Sequence, residues 1–167
     1  QIETLLKHQL PIEKQAVVLK QALQETERLD VLVEKILLAN SIESSAYLIQ
    51  KENFNLSELC HKLIENLNLS LLKNHLLNSQ IANDIKVFGD PMAFTSIITN
   101  LLDNAAKYSP PKSKIEFILS KEKESISIII KDQGLGISPK DELAVFNKFY
   151  RVGNEETRNT KGTGLGL

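Results

Sequence analysis

A long stretch without glycine or proline is the feature that most constrains how this chain can fold. Between Ile12 and Ile42 neither residue occurs, and Pro11 stands directly before the stretch. Apolar side chains recur here every three or four residues, a spacing that places them on one face of an α-helix. The members of this stripe are Leu19, Ala22, Leu23, Leu29, Leu32, Val33, Ile36 and Leu37, with Thr26 among them. The stretch is therefore predicted to form one long amphipathic helix.

The segment before this helix is predicted to be the end of another helix. Pro11 lacks a backbone N–H, and a first helical turn tolerates that loss, so the chain can turn at this residue. Residues Gln1 to Leu10 would then form an antiparallel helical hairpin with the long helix. The apolar face of such a long helix has few partners in this chain, which favours dimerisation through it. The alternative is that the helix packs on its own domain.

Beyond a polar break at Ser41 to Ser45, the pattern changes to shorter helices and strands. The predicted strands are Ala46 to Phe54, Leu76 to Ile81, Ile85 to Phe88, Lys114 to Leu119 and Ser125 to Lys131, the last two forming a hairpin. One predicted helix begins after Asn55 as its N-cap, with Glu58 as the capping-box partner. Another runs from Pro91 to Lys107. The expected fold class is therefore α+β.

Four short polar or glycine-rich strings follow one another in the second half of the chain. They are Asn-Leu-Leu-Asp-Asn-Ala-Ala-Lys-Tyr at 100–108, Asp-Gln-Gly-Leu-Gly at 132–136, Phe-Asn-Lys-Phe-Tyr-Arg at 146–151 and Gly-Thr-Gly-Leu-Gly at 162–166. Each alone is a weak signal, because glycine turns also serve ordinary loops. Their order resembles the N, G1, F and G2 boxes of the catalytic domain of sensor histidine kinases. The resemblance implies a Bergerat-type two-layer α/β sandwich that binds ATP with Mg²⁺.

This resemblance also implies a division of the chain. Residues 1–43 would be the end of a helical dimerisation hairpin, and residues 44–167 would be the ATP-binding catalytic domain, with a lid at 134–162. The chain ends at Leu167, directly after the G2 box. The helix and strands that complete the sandwich in this family are therefore expected to be missing, which would leave an open sheet edge.

The N box supplies two amides on one stripe of the predicted helix. Asn100 and Asn104 lie one turn apart. Neutral oxygen ligands suit Mg²⁺ beside a triphosphate, because further carboxylates would repel the phosphates. We predict that Asn104 binds Mg²⁺ and that Asn100 is a second oxygen donor or a phosphate contact. Lys107 would meet phosphate and Tyr108 the ribose. The alternative is that both asparagines are ordinary exposed helix residues.

The carboxylate of Asp132 directly follows an isoleucine-rich strand, so it is predicted to be partly desolvated and to need hydrogen-bond donors. The exocyclic amine of adenine is such a donor, and in the family this aspartate selects adenine. Gly134 and Gly136 would let the backbone turn tightly beside the base, where a Cβ would collide. Asp132 could instead be an ordinary cap of a glycine turn.

The lid carries the remaining predicted site residues. A helical patch is predicted from Lys140 to Phe149, with Phe146 and Phe149 pinning the lid to the domain and Phe149 close to the nucleotide. Arg151 would stand near the γ-phosphate as a fixed cation, which resembles the F-box arrangement. The G2 box would offer backbone N–H groups to the phosphates. Its residues are Gly162, Thr163, Gly164, Leu165 and Gly166.

Charge and cysteine content narrow the range of partners. The chain has 20 Lys and Arg residues against 21 Asp and Glu residues, so binding to nucleic acid is not expected. Its one cysteine, Cys60, excludes an internal disulfide and suits a small core position in a reducing compartment. The sequence shows no signal peptide and no apolar run of membrane-spanning length. The chain is expected to be cytoplasmic, with any membrane anchor upstream of it.

The phosphate acceptor of the family is not recognisable in this sequence. In these kinases it is a histidine followed by an acidic, an apolar and a basic residue and then a proline. None of His8, His61 and His75 has that context, and their spacing to other ligands does not suggest a metal site. The acceptor histidine would therefore lie upstream of this chain.

Together these features predict the donor half of a dimeric sensor histidine kinase. It would transfer the γ-phosphoryl group of MgATP to a histidine, from which a response-regulator receiver domain would take it. One alternative is an ATPase or ATP-gated clamp of the gyrase and chaperone superfamily. Those proteins have a glutamate at the first N-box position, where this chain has Asn100, and an amide cannot be a general base. The other alternative is a catalytically silent, nucleotide-binding scaffold.

Overall fold

The computed structural model describes residues 11–44, 48–123, 125–148, 150–152 and 164. The chain divides into two compact units, residues 1–48 and residues 49–167. Helices occur in both units, and both β-sheets lie in the second. The predicted α+β fold class is therefore confirmed.

Helix α1, Ile12–Glu43, confirms the predicted long helix with its 32 residues. Pro11 is its N-cap, and the Pro11 carbonyl accepts a hydrogen bond of 3.0 Å from the Gln15 N–H. The helix continues into the predicted polar break as far as Glu43, and within it the Ser41 hydroxyl donates to the Leu38 carbonyl at 2.8 Å. Ser44 is the C-cap. The predicted helix at residues 1–10 lies outside the described residues.

Much of the apolar face of α1 is exposed. Leu19, Leu23, Leu29 and Leu37 each keep more than half of their surface accessible. Within the part of the chain that the structure describes, no helix is both long enough and apolar enough to cross a bilayer.

Helix α2, Leu56–Leu69, begins at the predicted N-cap. The side-chain oxygen of Asn55 accepts from the Glu58 backbone N–H at 3.2 Å, which confirms the cap. The return bond, also 3.2 Å, comes from the Asn55 side-chain nitrogen to the Glu58 carboxylate, rather than from the backbone as in a capping box.

The smaller sheet pairs β1, Glu52–Asn55, with β3, Lys86–Gly89, in antiparallel register. The prediction of a strand from Ala46 to Phe54 was wrong about its start. Residues 48–51 form no strand, and β3 ends where Asp90 caps the next helix. A strand extends only as far as its ladder partner does, so β1 is short.

The larger sheet has the order β2-β4-β5 and is mixed. Strand β2, Leu76–Ile81, runs parallel to β4, Lys114–Glu122, and β4 pairs in antiparallel register with β5, Ser125–Lys131. The predicted hairpin of β4 and β5 is confirmed. Since β2 and β4 are parallel, the connection between them contains a helix, α3.

Helix α3, Pro91–Tyr108, begins at the predicted proline. The Asp90 carboxylate caps it by accepting from the N–H groups of Met92 and Ala93, at 2.9 and 3.1 Å. The predicted N box lies at the opposite end of α3. That end contacts the turn that follows β5, at Gly134.

The core of the second unit lies between α2, α3 and one face of the larger sheet. Alternate residues of β4 point into it, which is the period of a half-buried strand. Ile97, on the outer side of α3, is 57 % exposed. The fully or nearly buried apolar residues are Leu56, Cys60, Ile64, Leu72, Ile85, Ile98, Leu102, Ala105, Ile115, Phe117 and Leu119.

Candidate functional site

The end of α3 presents the two amides predicted from the sequence. Asn100 and Asn104 are both half-buried and lie one turn apart on the same helix. The amide of Asn104 has no side-chain hydrogen bond within the described residues. Lys107 forms an ion pair with Asp103, which precedes it by one turn. Asn104 is therefore the amide best placed to serve as a ligand.

A close backbone contact joins the end of α3 to the glycine turn after β5. A Cβ built on Gly134 would lie 2.8 Å from the carbonyl oxygen of Tyr108 and 2.7 Å from the Asp132 Oδ1 atom. Only glycine allows the two segments to approach so closely. This contact brings the predicted N and G1 boxes together. The Tyr108 side chain beside it is 42 % exposed.

The carboxylate of Asp132 is exposed, which corrects the prediction that it is partly desolvated. The reason is that β5 ends at Lys131, so Asp132 belongs to the turn and not to the covered part of the strand. Its Oδ1 atom accepts the Gly134 N–H at 2.7 Å. One oxygen of Asp132 therefore caps the glycine turn, as in the alternative interpretation. The second oxygen has no hydrogen-bond partner within the described residues.

The turn is also tied to the sheet. The side-chain oxygen of Gln133 accepts the Lys114 backbone N–H, at the start of β4, at 2.9 Å. Gly136 has φ +70°, a conformation that favours glycine, and a Cβ there would meet nothing within 4 Å. Gly136 is therefore required by its backbone conformation, whereas Gly134 is required by a close approach.

The segment after this turn differs from the predicted helix of Lys140 to Phe149. It contains only a short 3₁₀ helix, Ala144–Phe146, flanked by turns. Polar side chains at its start bond to one another and compete with regular helix formation. Phe146 was predicted to pin the lid but is 67 % exposed. Phe149, the second predicted pin, lies outside the described residues.

A buried carboxylate holds this segment instead, and the sequence analysis missed it. Asp141 is 7 % exposed, and its two oxygens accept hydrogen bonds of 2.6 Å from the hydroxyls of Ser138 and Tyr150. The bonds from Ser138 and Tyr150 lower the pKa of Asp141, and the bond to Asp141 raises the pKa of Tyr150. The sequence signal that could have revealed this contact is the spacing of Ser138 and Asp141, a serine three residues before an acidic residue. Arg151, half-buried, directly follows Tyr150.

Only one residue of the predicted G2 box can be described. Gly164 has φ +71°, in the left-handed region that glycine adopts readily. Gly162, Thr163, Leu165 and Gly166 lie outside the described residues.

A separate open cavity lies at the other end of the loop that follows α3. It has a volume of about 260 Å³ and contains none of the predicted site residues. Its lining residues are Lys73, Asn74, His75, Leu76, Pro111 and Lys112.

The donor set of the described site fits a magnesium nucleotide better than a free metal ion. The described residues contain no group of three or more His, Cys, Asp or Glu side chains that could hold a metal by themselves. Mg²⁺ is commonly held by few protein oxygens together with substrate phosphates. The amide oxygen of Asn104 can be such a protein ligand, and the exposed carboxylate of Asp132 leaves an acceptor for another part of a nucleotide.

Comparison with known proteins identifies the class to which this site belongs. Residues 89–167, which contain α3, the larger sheet's hairpin and both glycine strings, match the family of histidine kinase-, DNA gyrase B- and HSP90-like ATPases. The chain is 32 % identical over 146 residues to the sensor histidine kinase WalK of Bacillus subtilis. The match covers 86 % of this chain and 24 % of WalK.

Solved structures of histidine kinases share the fold. Full-length ShkA, solved in complex with AMPPNP, has a TM-score of 0.74 at 18 % identity, covering 95 % of this chain and 33 % of that one. ThkA, solved with the response regulator TrrA, has a TM-score of 0.70 at 20 % identity, covering 90 % and 44 %. The family match and the likeness to WalK identify a sensor histidine kinase catalytic domain in this chain, which spans about a quarter of the length of WalK.

Proposed function

We propose that this chain binds ATP with Mg²⁺ and donates the γ-phosphoryl group to a histidine of a sensor histidine kinase. The observation that carries the proposal is the contact of Gly134 with the Tyr108 carbonyl. This contact places the amide-bearing end of α3 beside the turn that holds Asp132. Two segments that are distant in the sequence thereby form one pocket wall with an acceptor for adenine and a ligand for a cation.

The adenine end of the proposed site is formed by the turn after β5. The free oxygen of Asp132 would accept a hydrogen bond from the exocyclic amine of adenine. Its other oxygen is already used to hold Gly134, so the carboxylate has a fixed orientation. The exposed ring of Tyr108 would contact the ribose. Gly134 and Gly136 would keep the backbone close to the base.

The phosphate end would be formed by α3 and the lid. Asn104 would give its side-chain oxygen to Mg²⁺, and Asn100 would be a second oxygen donor. Lys107 forms an ion pair with Asp103 in the structure, so it would have to leave Asp103 in order to contact phosphate. Bound MgATP supplies the transferable γ-phosphoryl group. Its charge would be balanced by Arg151 from the lid.

The remaining part of the lid is proposed to close over the nucleotide. The backbone N–H groups of residues 162–166 would bind phosphate oxygens, and the left-handed conformation of Gly164 supports this arrangement. Phe149 would cover the nucleotide from the side of the F box. These residues act by positioning and charge neutralisation, which is how proteins accelerate phosphoryl transfer.

Partners follow from the same proposal. The exposed apolar stripe of α1 supports a homodimer formed through the helical hairpin. The complex of ThkA with TrrA supports a response-regulator receiver domain as the final phosphate acceptor. The acceptor histidine would come from a part of the protein outside residues 1–167. Because its partners would be ATP and a receiver domain, the reaction is proposed to take place in the cytoplasm.

The test of binding is a titration of the chain with a fluorescent ATP analogue, with and without Mg²⁺. We expect saturable binding that is lost in Asp132→Asn and kept in Asp30→Asn, a matched charge change at an exposed position of α1. Asn104→Ala should abolish the effect of Mg²⁺, whereas Asn68→Ala, at an exposed position of α2, should not. A folded chain that does not bind, or that binds equally well without Asp132, would refute the proposal.

A second measurement separates a kinase from an ATPase. The chain with radiolabelled ATP should label a separately supplied acceptor hairpin and release little free phosphate in its absence. The physical reason is that Asn100 cannot accept a proton from an attacking water. Steady phosphate release without labelling of the hairpin would favour the ATPase alternative.

A further inference from the structure

The buried carboxylate of Asp141 has a role that the proposed nucleotide contacts do not explain. Both of its oxygens are used, one by Ser138 at the start of the segment and one by Tyr150 at its end. A single side chain therefore closes residues 138–150 into a loop. We propose that Asp141 is a positioning residue that fixes Tyr150 and thereby holds Arg151 in place for the γ-phosphate. This inference rests on the proposed function.

The described residues of this segment form turns and one short 3₁₀ helix rather than a regular helix or strand. Its backbone bonds form successive turns, among them Asp141 N–H to the Ser138 carbonyl at 2.8 Å and Tyr150 N–H to the Asn147 carbonyl at 3.1 Å. Apolar packing contributes little at its centre, since Leu143 is 86 % exposed and Phe146 is 67 % exposed. The ties to Asp141 therefore join the start of the segment to Tyr150 near its end, where Lys148 and Arg151 make interactions of their own.

The chemistry of Asp141 makes these ties obligatory. A carboxylate that is 7 % exposed must receive hydrogen bonds, because burial of an unsatisfied charge is costly. Two hydroxyl donors at 2.6 Å supply them. The bond to Asp141 raises the pKa of Tyr150 further above its usual value of 10.0, so this donor keeps its proton at neutral pH. The tie is thus present under the conditions in which a kinase works.

Arg151 is coupled to this tie through the backbone. Adjacent Cα atoms are about 3.8 Å apart, so a shift of Tyr150 must also move Arg151. Arg151 is half-buried and interacts with the rest of the protein, which limits the positions that it can take. Loss of the Tyr150 hydroxyl would therefore reduce the alignment of the guanidinium with a γ-phosphate. It would leave contacts with adenine, ribose and the β-phosphate unchanged.

The ratio of the affinities for ATP and ADP therefore reports on the γ-phosphate contact alone. A merely structural role of Asp141 would not change this ratio. The affinities of the full chain for ATP and ADP are measured for wild type, Tyr150→Phe, Arg151→Ala and the double variant. Arg151→Ala should weaken ATP binding about tenfold or more, because it removes a charge-assisted bond, and leave ADP binding unchanged. Tyr150→Phe should weaken ATP binding in the same direction, with ADP unchanged. The double variant should be no weaker than Arg151→Ala alone.

A second variant keeps the test valid if Tyr150→Phe does not fold. Ser138→Ala removes the other hydrogen bond of Asp141, and it should also lower the preference for ATP over ADP. Ser127→Ala, at an exposed position of β5, is the matched control for Ser138→Ala and should have no effect. The inference would be overturned if the variants lost affinity for ATP and ADP equally, or if their preference for ATP over ADP did not change. Additive effects in the double variant would also overturn it.

The outcomes also separate this inference from the proposed function. If wild type binds no ATP, or if Arg151→Ala leaves the preference unchanged, the proposed function or the proposed role of Arg151 is wrong. If Arg151→Ala lowers the preference and neither Tyr150→Phe nor Ser138→Ala does, only the role of Asp141 is wrong.

Discussion

Replacement of Gly134 by alanine tests the contact on which the proposed pocket depends. The added Cβ would lie 2.8 Å from the Tyr108 carbonyl oxygen, while ordinary contact begins at 3.4 Å, so a movement of about 0.6 Å is needed. The obstacle is backbone at the end of a helix, and it cannot rotate away as a side chain can. We expect a loss of stability of about 1–3 kcal/mol, as is typical of overpacking. Since the movement separates the two segments that form the wall of the proposed pocket, affinity for ATP should fall at least about tenfold.

Two measurements are needed for this prediction. Urea denaturation followed by circular dichroism gives the free energy of unfolding, and titration with a fluorescent ATP analogue gives the affinity. Gly89→Ala is the matched control, because its Cβ would lie 3.0 Å from a ring carbon of Phe94, away from the pocket. It should lower stability and leave ATP affinity unchanged. A folded Gly134→Ala variant that binds ATP as wild type does would refute the reasoning.

Three further predictions concern the core. Leu102→Ala should lower the free energy of unfolding in urea by about 2–5 kcal/mol, because the side chain is 0 % exposed, whereas Ile97→Ala, at an exposed position of α3, should change it by less than about 0.5 kcal/mol. Ser57→Ala should cost about 1–3 kcal/mol in the same assay, because the buried Ile85 N–H donates to the Ser57 hydroxyl at 2.9 Å and would lose its partner. Burial raises the pKa of Cys60 to about 11 from a usual value of 9.0, so the thiol ionises at lower pH in the unfolded chain than in the folded one. The free energy of unfolding should therefore fall as the pH rises from 9.0 to 11. Cys60→Ala should lack this dependence when unfolding is measured across that range.

Local signals in the sequence predicted the local structure well. The length of α1, the Asn55 cap of α2 and the start of α3 at Pro91 each follow from a few neighbouring residues, and all three are confirmed. The hairpin of β4 and β5 is also a local structure. These features could be predicted because the helix period, caps and turns act within about one turn of the chain.

Features that depend on distant partners were harder to predict. The strand at Ala46 to Phe54 was placed too early, because its length is set by β3 and not by its own composition. The exposure of Asp132 depends on where β5 leaves its pairing with β4, which is after Lys131, opposite Glu116. The predicted lid helix was wrong, since the segment forms turns and a short 3₁₀ helix, and the bond from Tyr150 to Asp141 spans nine residues. The residue types of the proposed site could be found from spacing and resemblance, whereas the close approach of Gly134 and Tyr108 is a tertiary contact.

The most direct test of the proposed pocket is an NMR titration of the ¹⁵N-labelled chain with a non-hydrolysable ATP analogue and Mg²⁺. The account predicts that the largest shifts occur at the backbone N–H groups of Gly134 and Gly136 and at the side-chain amide of Asn104. Shifts confined to the cavity lined by Lys73 and Lys112, or the absence of any shift in a folded chain, would contradict it.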